Sequence, residues 1–357
     1  MGLQRIADEL QSGMILDQDI YTKDKVLLLA KGSVIYEEQI RIIKRLGYSS
    51  VSIRQKEPDA GEFSYWHHID ENKFNEFEHS YSESKKELND IMKSISSGGQ
   101  VDLEQVYSIP EMLLQQVGTP YNLFAFLNNV RQLDDYTYSH SVNVSVLCGV
   151  LCKWLKLDEA TCKEIITAGL LHDLGKCHIP PEILNKPEKL TAEEWEEVKK
   201  HPVYGYRLLE TAKAPHNIKI GALMHHERED GSGYPTGLKG DQIPLIAKII
   251  AIADVYDAMT SRRPHREKIC PFQVIDQFQH DFFNLLDTKL LMTFLNRVAD
   301  CYVGEVVRLS DGRTGQVVVI NPAYPARPMI RNRDGIINLV NEHGVEIVDI
   351  LPVGANS

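Results

Sequence analysis

The spacing of apolar residues divides the chain into regions of different character. Over residues 1–60, short apolar runs alternate with turns, and the segment reads as a small α/β module. Residues 26–30 form an apolar run closed by Lys31-Gly32. Residues 37–46 carry Ile40, Ile43 and Leu46 on one helical face, and residues 51–53 suggest a closing strand. Glu57-Pro58-Asp59-Ala60-Gly61 has the composition of a linker. Residues 61–115 form a polar, helical connecting region, charged from 74 to 95 and broken at Ser96-Ser97-Gly98-Gly99.

From 116 to 300 the helical period dominates. Val142, Val146, Val150 and Trp154 recur one turn apart, with Leu147, Leu151 and Leu155 beside them. Asp158 is placed to cap a helix that ends near Gly175. Thr191 and Glu194 form a capping-box signature ahead of Trp195 and Val198. In residues 301–357 the pattern shifts. Segments 305–309, 315–320 and 345–351 read as strands, and Asp311-Gly312 as a hairpin turn. The expected fold class is mainly α: a helical domain over 116–300 between a small N-terminal α/β module and a small C-terminal β-rich extension.

At 357 residues the length suits two or three domains of about 150 residues. A composition of 43% hydrophobic and 25% charged residues supplies a normal globular core. No apolar run approaches the roughly 20 residues of a membrane helix. Residues 1–13 lack the apolar segment of a secretory signal, and Ile6 stands where a myristoylation signal needs Ser or Thr. The six cysteines include no CxxC pair. Cys148 and Cys152, one turn apart in an apolar run, read as buried small hydrophobes, and this usage fits a reducing cytoplasm. A net charge of −11 disfavours duplex nucleic acid as a partner. A small anion remains compatible where bound metals concentrate positive charge.

Candidate chemistry lies in the helical domain. His140, His172, Asp173, His201, His225, His226 and Asp254 are all metal-ligand types within or at the ends of expected helices. A lone His140 would be an ordinary solvated or satisfied histidine, and His67-His68 reads as a surface pair in the connecting region. His172-Asp173 differs because it directly follows Ala168-Gly169-Leu170-Leu171, where polar groups need partners. His225-His226 follows Ile220-Gly221-Ala222-Leu223-Met224 in the same way. Imidazoles mixed with carboxylates and without thiolates suit iron or manganese, with zinc, cobalt and nickel also compatible. Seven ligands exceed what one catalytic ion takes while keeping a position open for water. Two ions sharing Asp173, about 3.5–4 Å apart, would divide them and could hydrolyse a phosphoester.

Three runs resemble a known family. His172-Asp173-Leu174-Gly175-Lys176, His225-His226-Glu227-Arg228-Glu229-Asp230-Gly231-Ser232-Gly233-Tyr234-Pro235 and Asp254-Val255-Tyr256-Asp257-Ala258-Met259-Thr260 closely resemble the HD-GYP domain. That domain is a helical subgroup of the HD phosphohydrolases, and the likeness covers roughly residues 116–300. It implies an HD-type helical bundle and hydrolysis of cyclic di-GMP to pGpG, GMP or both. It also implies that His140, His172 and Asp254 hold one ion, that His201, His225 and His226 hold the other, and that Asp173 bridges. By the same resemblance Lys176 contacts the scissile phosphate, while Arg263 and Arg266 grip the dinucleotide. Gly233, Tyr234 and Pro235 form a lip over the site. Some members carry a carboxylate one turn before the first histidine, which helps hold a third ion. Here that position is Tyr136, so two ions are expected. His265 replaces an aromatic residue between Pro264 and Arg266. Alternative readings are cyclic GMP-AMP as the substrate, or a module that senses the dinucleotide or docks a diguanylate cyclase (a GGDEF protein) through the Gly-Tyr-Pro loop. A homodimer is compatible with either.

Overall fold

The structure, a computed structural model, describes residues 3–7, 10, 14–21, 27–29, 34–35, 37–53, 71–130, 136–261 and 269–351. The described residues of 1–68, 304–306 and 351–357 form one compact unit, and those of 69–303 and 307–350 form another.

The first unit is a small α/β module. Strand β1 (Leu3–Ile6) pairs antiparallel with β6 (Ser50–Ile53), β2 (Met14–Ile15) with β5 (Val34–Ile35), and β3 (Ile20–Tyr21) with β4 (Leu27–Leu29). Helix α1 (Glu37–Arg45) buries Ile40 and Ile43 against Leu16, Ile20, Ile35 and Val51. Within the apolar run at 26–30, residues 27–29 form β4, and the helix and closing strand stand where the pattern puts them. The two-residue strands are too short to show alternation in sequence.

The second unit is mainly α. Helix α2 (Glu71–Ser96) buries Phe77, Tyr81, Ser84, Leu88, Ile91, Met92 and Ile95, an inward stripe at three- and four-residue steps. It packs on α3 (Leu103–Val117) and α5 (Tyr136–Leu155). Helices α4 (Pro120–Val130), α6 (Glu159–Leu171), α7 (Pro181–Leu184), α8 (Ala192–Val198), α9 (His201–Thr211), α10 (His216–Met224), α11 (Leu245–Thr260), α12 (Pro271–Asp281) and α13 (Thr288–Asp300) complete the helical part. Asp158 caps α6, accepting from the Thr161 backbone at 2.9 Å. Thr191 and Glu194 close the expected capping box on α8. Helix α6 stops at Leu171, short of Gly175, and the chain tightens into a 3-10 turn over Leu174–His178. Cys148 and Cys152 are buried and free of disulfides.

Strands β7 (Val306–Leu309), β8 (Thr314–Asn321), β9 (Tyr324–Asn332), β10 (Gly335–Asn338) and β11 (Ile347–Ile350) form a five-stranded sheet ordered β10-β9-β8-β7-β11. The β9 pairings with β8 and β10 are antiparallel, as is that of β7 with β11. Val307, Leu309, Val317, Ile330 and Ile347 join the core that runs through the helices. Strands β9 and β10 lie outside the segments expected as strands, and in β9 Pro325 and Pro328 are residues that disfavour one. The register explains their tolerance. Pairing of β8 with β9 shifts between Val319/Met329 and Asn321/Tyr324, and both prolines fall in that irregular interval.

Small residues let the helices approach closely. A Cβ on Gly221 of α10 would sit 2.8 Å from the Ala168 Cβ of α6 and 3.0 Å from Ile250 of α11. Gly169 of α6 lies against Ser145 and Cys148 of α5 in the same manner. These contacts set the separation of the helices that carry the histidines. Among the described residues, no helix is long and apolar enough to cross a membrane.

Gly221→Ala sets two effects against each other. Helix propensity favours alanine by up to about 1 kcal/mol, whereas crowding a packed interface costs about 1–3 kcal/mol. Contact with Ala168 and Ile250 should win, and the urea midpoint should fall. A midpoint at or above that of the wild type would show that these helices can separate without loss.

Candidate metal centre

Five histidines and two aspartates from different elements meet inside the helical unit. His140 comes from α5, and His172 and Asp173 follow α6. His201 begins α9, His225 and His226 follow α10, and Asp254 lies on α11. All are buried except His226, which is partly exposed. The candidate donor atoms fall into compact sets, each within 4.8 Å: His140, His172 and Asp254; His201, His225 and His226; and His172, Asp173 and His225.

The imidazoles are oriented by helix ends. The last carbonyls of an α-helix have no partner within the helix. His172 Nδ1 lies 2.7 Å from the Gly169 carbonyl of α6, His225 Nδ1 2.9 Å from the Ala222 carbonyl of α10, and His201 Nδ1 2.8 Å from the Val198 carbonyl of α8. A carbonyl only accepts, so each Nδ1 carries the proton and each Nε2 presents its lone pair to the interior. The negative end of each helix dipole lies at the same place, which favours a cation there.

His140 is oriented differently. Its Nδ1 donates to Asp257 Oδ2 at 2.8 Å, and its Nε2 lies 3.1 Å from Asp254 Oδ1. Asp257 is fully buried and also accepts from Asn143 Nδ2 at 2.9 Å and Ser261 Oγ at 3.0 Å. Asp173 faces both donor sets. Its Oδ2 is 3.3 Å from His172 Nε2 and 3.8 Å from His140 Nε2, while its Oδ1 is 3.4 Å from His201 Nε2. Lys176 Nζ reaches Asp173 Oδ2 at 2.6 Å.

Electrostatics suit the same chemistry. Burial, reinforced by neighbouring imidazoles, keeps His225 and His226 well below the ordinary histidine range, and burial brings His201 down to about 4. All three are therefore neutral, as ligands must be. Burial would lower His140 too, but its hydrogen bonds to Asp254 and Asp257 prevail and raise it to about 9, so His140 would have to release its Nε2 proton for an ion to take that place. Burial opposes ionisation of Asp173, yet His172, Lys176 and His201 hold it well below the usual carboxylate range. Asp254 is held low in the same sense, by His140, His226 and His172.

The residues fit divalent ions on a test independent of the motif. His172 Nε2 and Asp173 Oδ1 are buried and have no hydrogen-bond partner among the described residues. Leaving such groups unpaired costs about 1–3 kcal/mol each. Two donors about 2.0–2.2 Å from a shared ion stand about 3–3.5 Å apart. His140–Asp254 at 3.1 Å and His201 Nε2–His225 Nε2 at 3.3 Å have that spacing.

Beside the cluster, the chain from Gly231 to Leu238 folds back on itself. A Cβ at Gly233 would run into the backbone of His226, Glu227 and Arg228, so only glycine permits the approach. The Tyr234 ring rests 4.6 Å from that of His226 and 6.5 Å from that of His201. Glu227 fastens the loop. One carboxylate oxygen accepts from the Thr236 backbone at 2.8 Å and its hydroxyl at 2.6 Å, and the other accepts from Leu238 N at 2.9 Å. On the other side, a Cβ at Gly175 would strike the His201 carbonyl and Gly205, so the turn after Asp173 packs directly on the start of α9.

The structure thus brings His140, His172, Asp173, His201, His225, His226 and Asp254 together, with Lys176 at Asp173 and Tyr234 at His226. Arg263 and Arg266 lie outside the described residues, as do Arg262, His265, Asp134, Asp135 and His67-His68. Sequence reasoning gave no role to Asp257, Asn143 or Glu227. Spacing held a signal for two of them: Asp257 is three residues after Asp254, and Asn143 three after His140, so each shares a helical face with a donor. Glu227 had only its place beside two buried histidines.

A buried histidine–aspartate cluster at the helix ends of such a bundle defines a divalent-metal-binding domain. Residues 123–290 match the family model of the HD domain, and over this segment the chain is an HD-domain protein. The HD-GYP resemblance of the motifs lies within that family. A cyclic di-GMP phosphodiesterase of Pseudomonas aeruginosa is 35% identical over 238 residues, which cover 66% of this chain and 57% of that protein. A cyclic di-GMP phosphodiesterase of Thermotoga maritima is 43% identical over 151 residues, 40% of this chain and 41% of that one. A 3'3'-cGAMP-specific phosphodiesterase of Vibrio cholerae is 40% identical over 154 residues, 43% of this chain and 36% of that one. The chain therefore spans between about a third and somewhat over half the length of these relatives.

Glu227→Ala should release the loop without touching a donor atom. Hydrogen exchange at the Thr236 and Leu238 amides should quicken by about tenfold or more, since a hydrogen bond to a charged acceptor contributes about 1.5–3 kcal/mol. Unchanged protection of both amides would show that the loop is held by other contacts.

Proposed function

We propose that this chain is a metal-dependent phosphodiesterase that hydrolyses cyclic di-GMP. The observation that carries the reading is Asp173, whose two oxygens face separate imidazole groups, one of them unpartnered although buried. His140, His172 and Asp254 would hold one divalent ion and His201, His225 and His226 a second, with Asp173 shared. Iron or manganese suits this donor set best. When bound, the pair supplies Lewis acidity toward a phosphate oxygen and a lowered pKa for water.

The remaining work falls to the chain. The helix-end carbonyls keep three Nε2 atoms unprotonated and aimed inward. Lys176, part-exposed beside Asp173, places a cation where charge develops on the phosphoryl oxygens as water adds to phosphorus and the ester P–O bond breaks. Tyr234 walls the site over His226, and the Glu227-fastened loop keeps it there. Arg263 and Arg266 are proposed to grip the dinucleotide. With Tyr136 in place of a third-ion carboxylate, the linear product pGpG is an expected end point beside GMP.

Cyclic GMP-AMP is a second candidate substrate, supported by the likeness to the Vibrio cholerae enzyme. Competition between the two dinucleotides at equal concentration separates the readings.

Purified protein loaded with Mn²⁺ or Fe²⁺ should convert cyclic di-GMP to pGpG or GMP, as followed by chromatography, and chelation should stop it. Metal bound without either product would overturn the activity. His172→Ala and Asp173→Ala should each abolish turnover and lower metal content by elemental analysis. Wild-type turnover in either variant would displace the proposed site.

A further inference from the structure

Helix α2 lies outside the stretch that matches the HD domain, yet one of its side chains is joined to the donor cluster by buried hydrogen bonds. Tyr81 OH lies 2.8 Å from Asn143 Oδ1 and 3.3 Å from the Ser139 carbonyl. Asn143 Nδ2 lies 2.9 Å from Asp257 Oδ1, and Asp257 Oδ2 lies 2.8 Å from His140 Nδ1. Tyr81, Asn143, Asp257 and His140 are each at most 4% exposed.

The direction of the chain is fixed by chemistry. An ionised carboxylate only accepts, so Asn143 must turn its NH₂ toward Asp257 and its oxygen toward Tyr81. The phenol then donates to Asn143. At the far end Asp257 must accept from His140, which leaves His140 Nε2 facing Asp254. The links are joined: Tyr81 holds the Asn143 amide oxygen, Asn143 holds one Asp257 oxygen, and the other oxygen sets the His140 ring. A carboxylate behind a ligating histidine fixes ring orientation and raises basicity.

We propose that Tyr81, Asn143 and Asp257 are positioning residues for His140, so that α2 is a working part of one of the two ion sites. The other site does not share this support, because His201 and His225 are oriented by backbone carbonyls. The inference rests on the reading of His140 as an ion ligand, and its test counts metal without any substrate.

The probe is Mn²⁺ alone, titrated into chelator-stripped full-length protein, with free Mn²⁺ read by its electron paramagnetic resonance signal. Asp257→Asn keeps the shape and removes the charge, and should weaken one of the two ions by about 10–100-fold. Tyr81→Phe keeps the ring and removes one neutral hydrogen bond, and should weaken the same ion by about fivefold. The second ion should bind as in the wild type. Phe77→Leu, one turn earlier on α2, tests for a merely structural effect. It should lower the melting temperature while leaving both ions unchanged. If Asp257→Asn fails to fold, Tyr81→Phe decides alone. Unchanged binding in Tyr81→Phe, or equal weakening of both ions, overturns the proposal. Wild-type protein that takes up no Mn²⁺ removes the ligand reading and this inference together.

Discussion

The structure depends on the placement of ionisable groups at helix ends inside an apolar bundle. Helices α6, α8 and α10 each finish with carbonyls that the helix cannot satisfy, and an imidazole N–H satisfies one of them in each case. One hydrogen bond serves two purposes. It pairs a backbone acceptor that would otherwise be unpaired in the interior, and it selects the tautomer whose free nitrogen faces the centre. The fold therefore produces a converging set of lone pairs as a by-product of ending its helices.

Close approach of the helices makes this convergence possible. Gly169 brings α6 against the backbone of α5, and Gly221 brings α10 against the Ala168 methyl of α6 and the isoleucine side chains of α11, and the resulting bundle leaves a narrow polar centre. Within that centre the two carboxylates remain ionised against burial because histidines and Lys176 surround them. The packing alone does not satisfy every group, as His172 Nε2 and Asp173 Oδ1 show. The unsatisfied pair is the physical mark of a site organised around cations.

Much of this was legible in the sequence because polar residues placed directly after apolar helical runs demand partners. His172-Asp173 and His225-His226 stood out on that ground, and their neighbours carried a specific family pattern. The apolar pattern also located the N-terminal helix and three strands of the C-terminal sheet, β7, β8 and β11. Strand β9 was hidden by Pro325 and Pro328, because a bulged register is not visible in local composition. Asp257 and Asn143 shared a helical face with a donor, but spacing alone did not reveal what they do. They act through hydrogen bonds between α5 and α11, joining residues more than one hundred positions apart in sequence. Glu227 was quoted only as a letter of the motif. Its work, fastening the backbone of residues nine and eleven positions ahead, is a property of the folded loop.

The contact at Gly175 has a consequence for the spacing of the donors. There, the peptide planes of the turn after Asp173 abut those at the start of α9. No rotamer change can lengthen or shorten that interval, since no side chain occupies it. The main-chain separation of Asp173 and His201 is thus set by peptide thickness. Any side chain at position 175 would push that interval open and carry the two donor-bearing backbones apart.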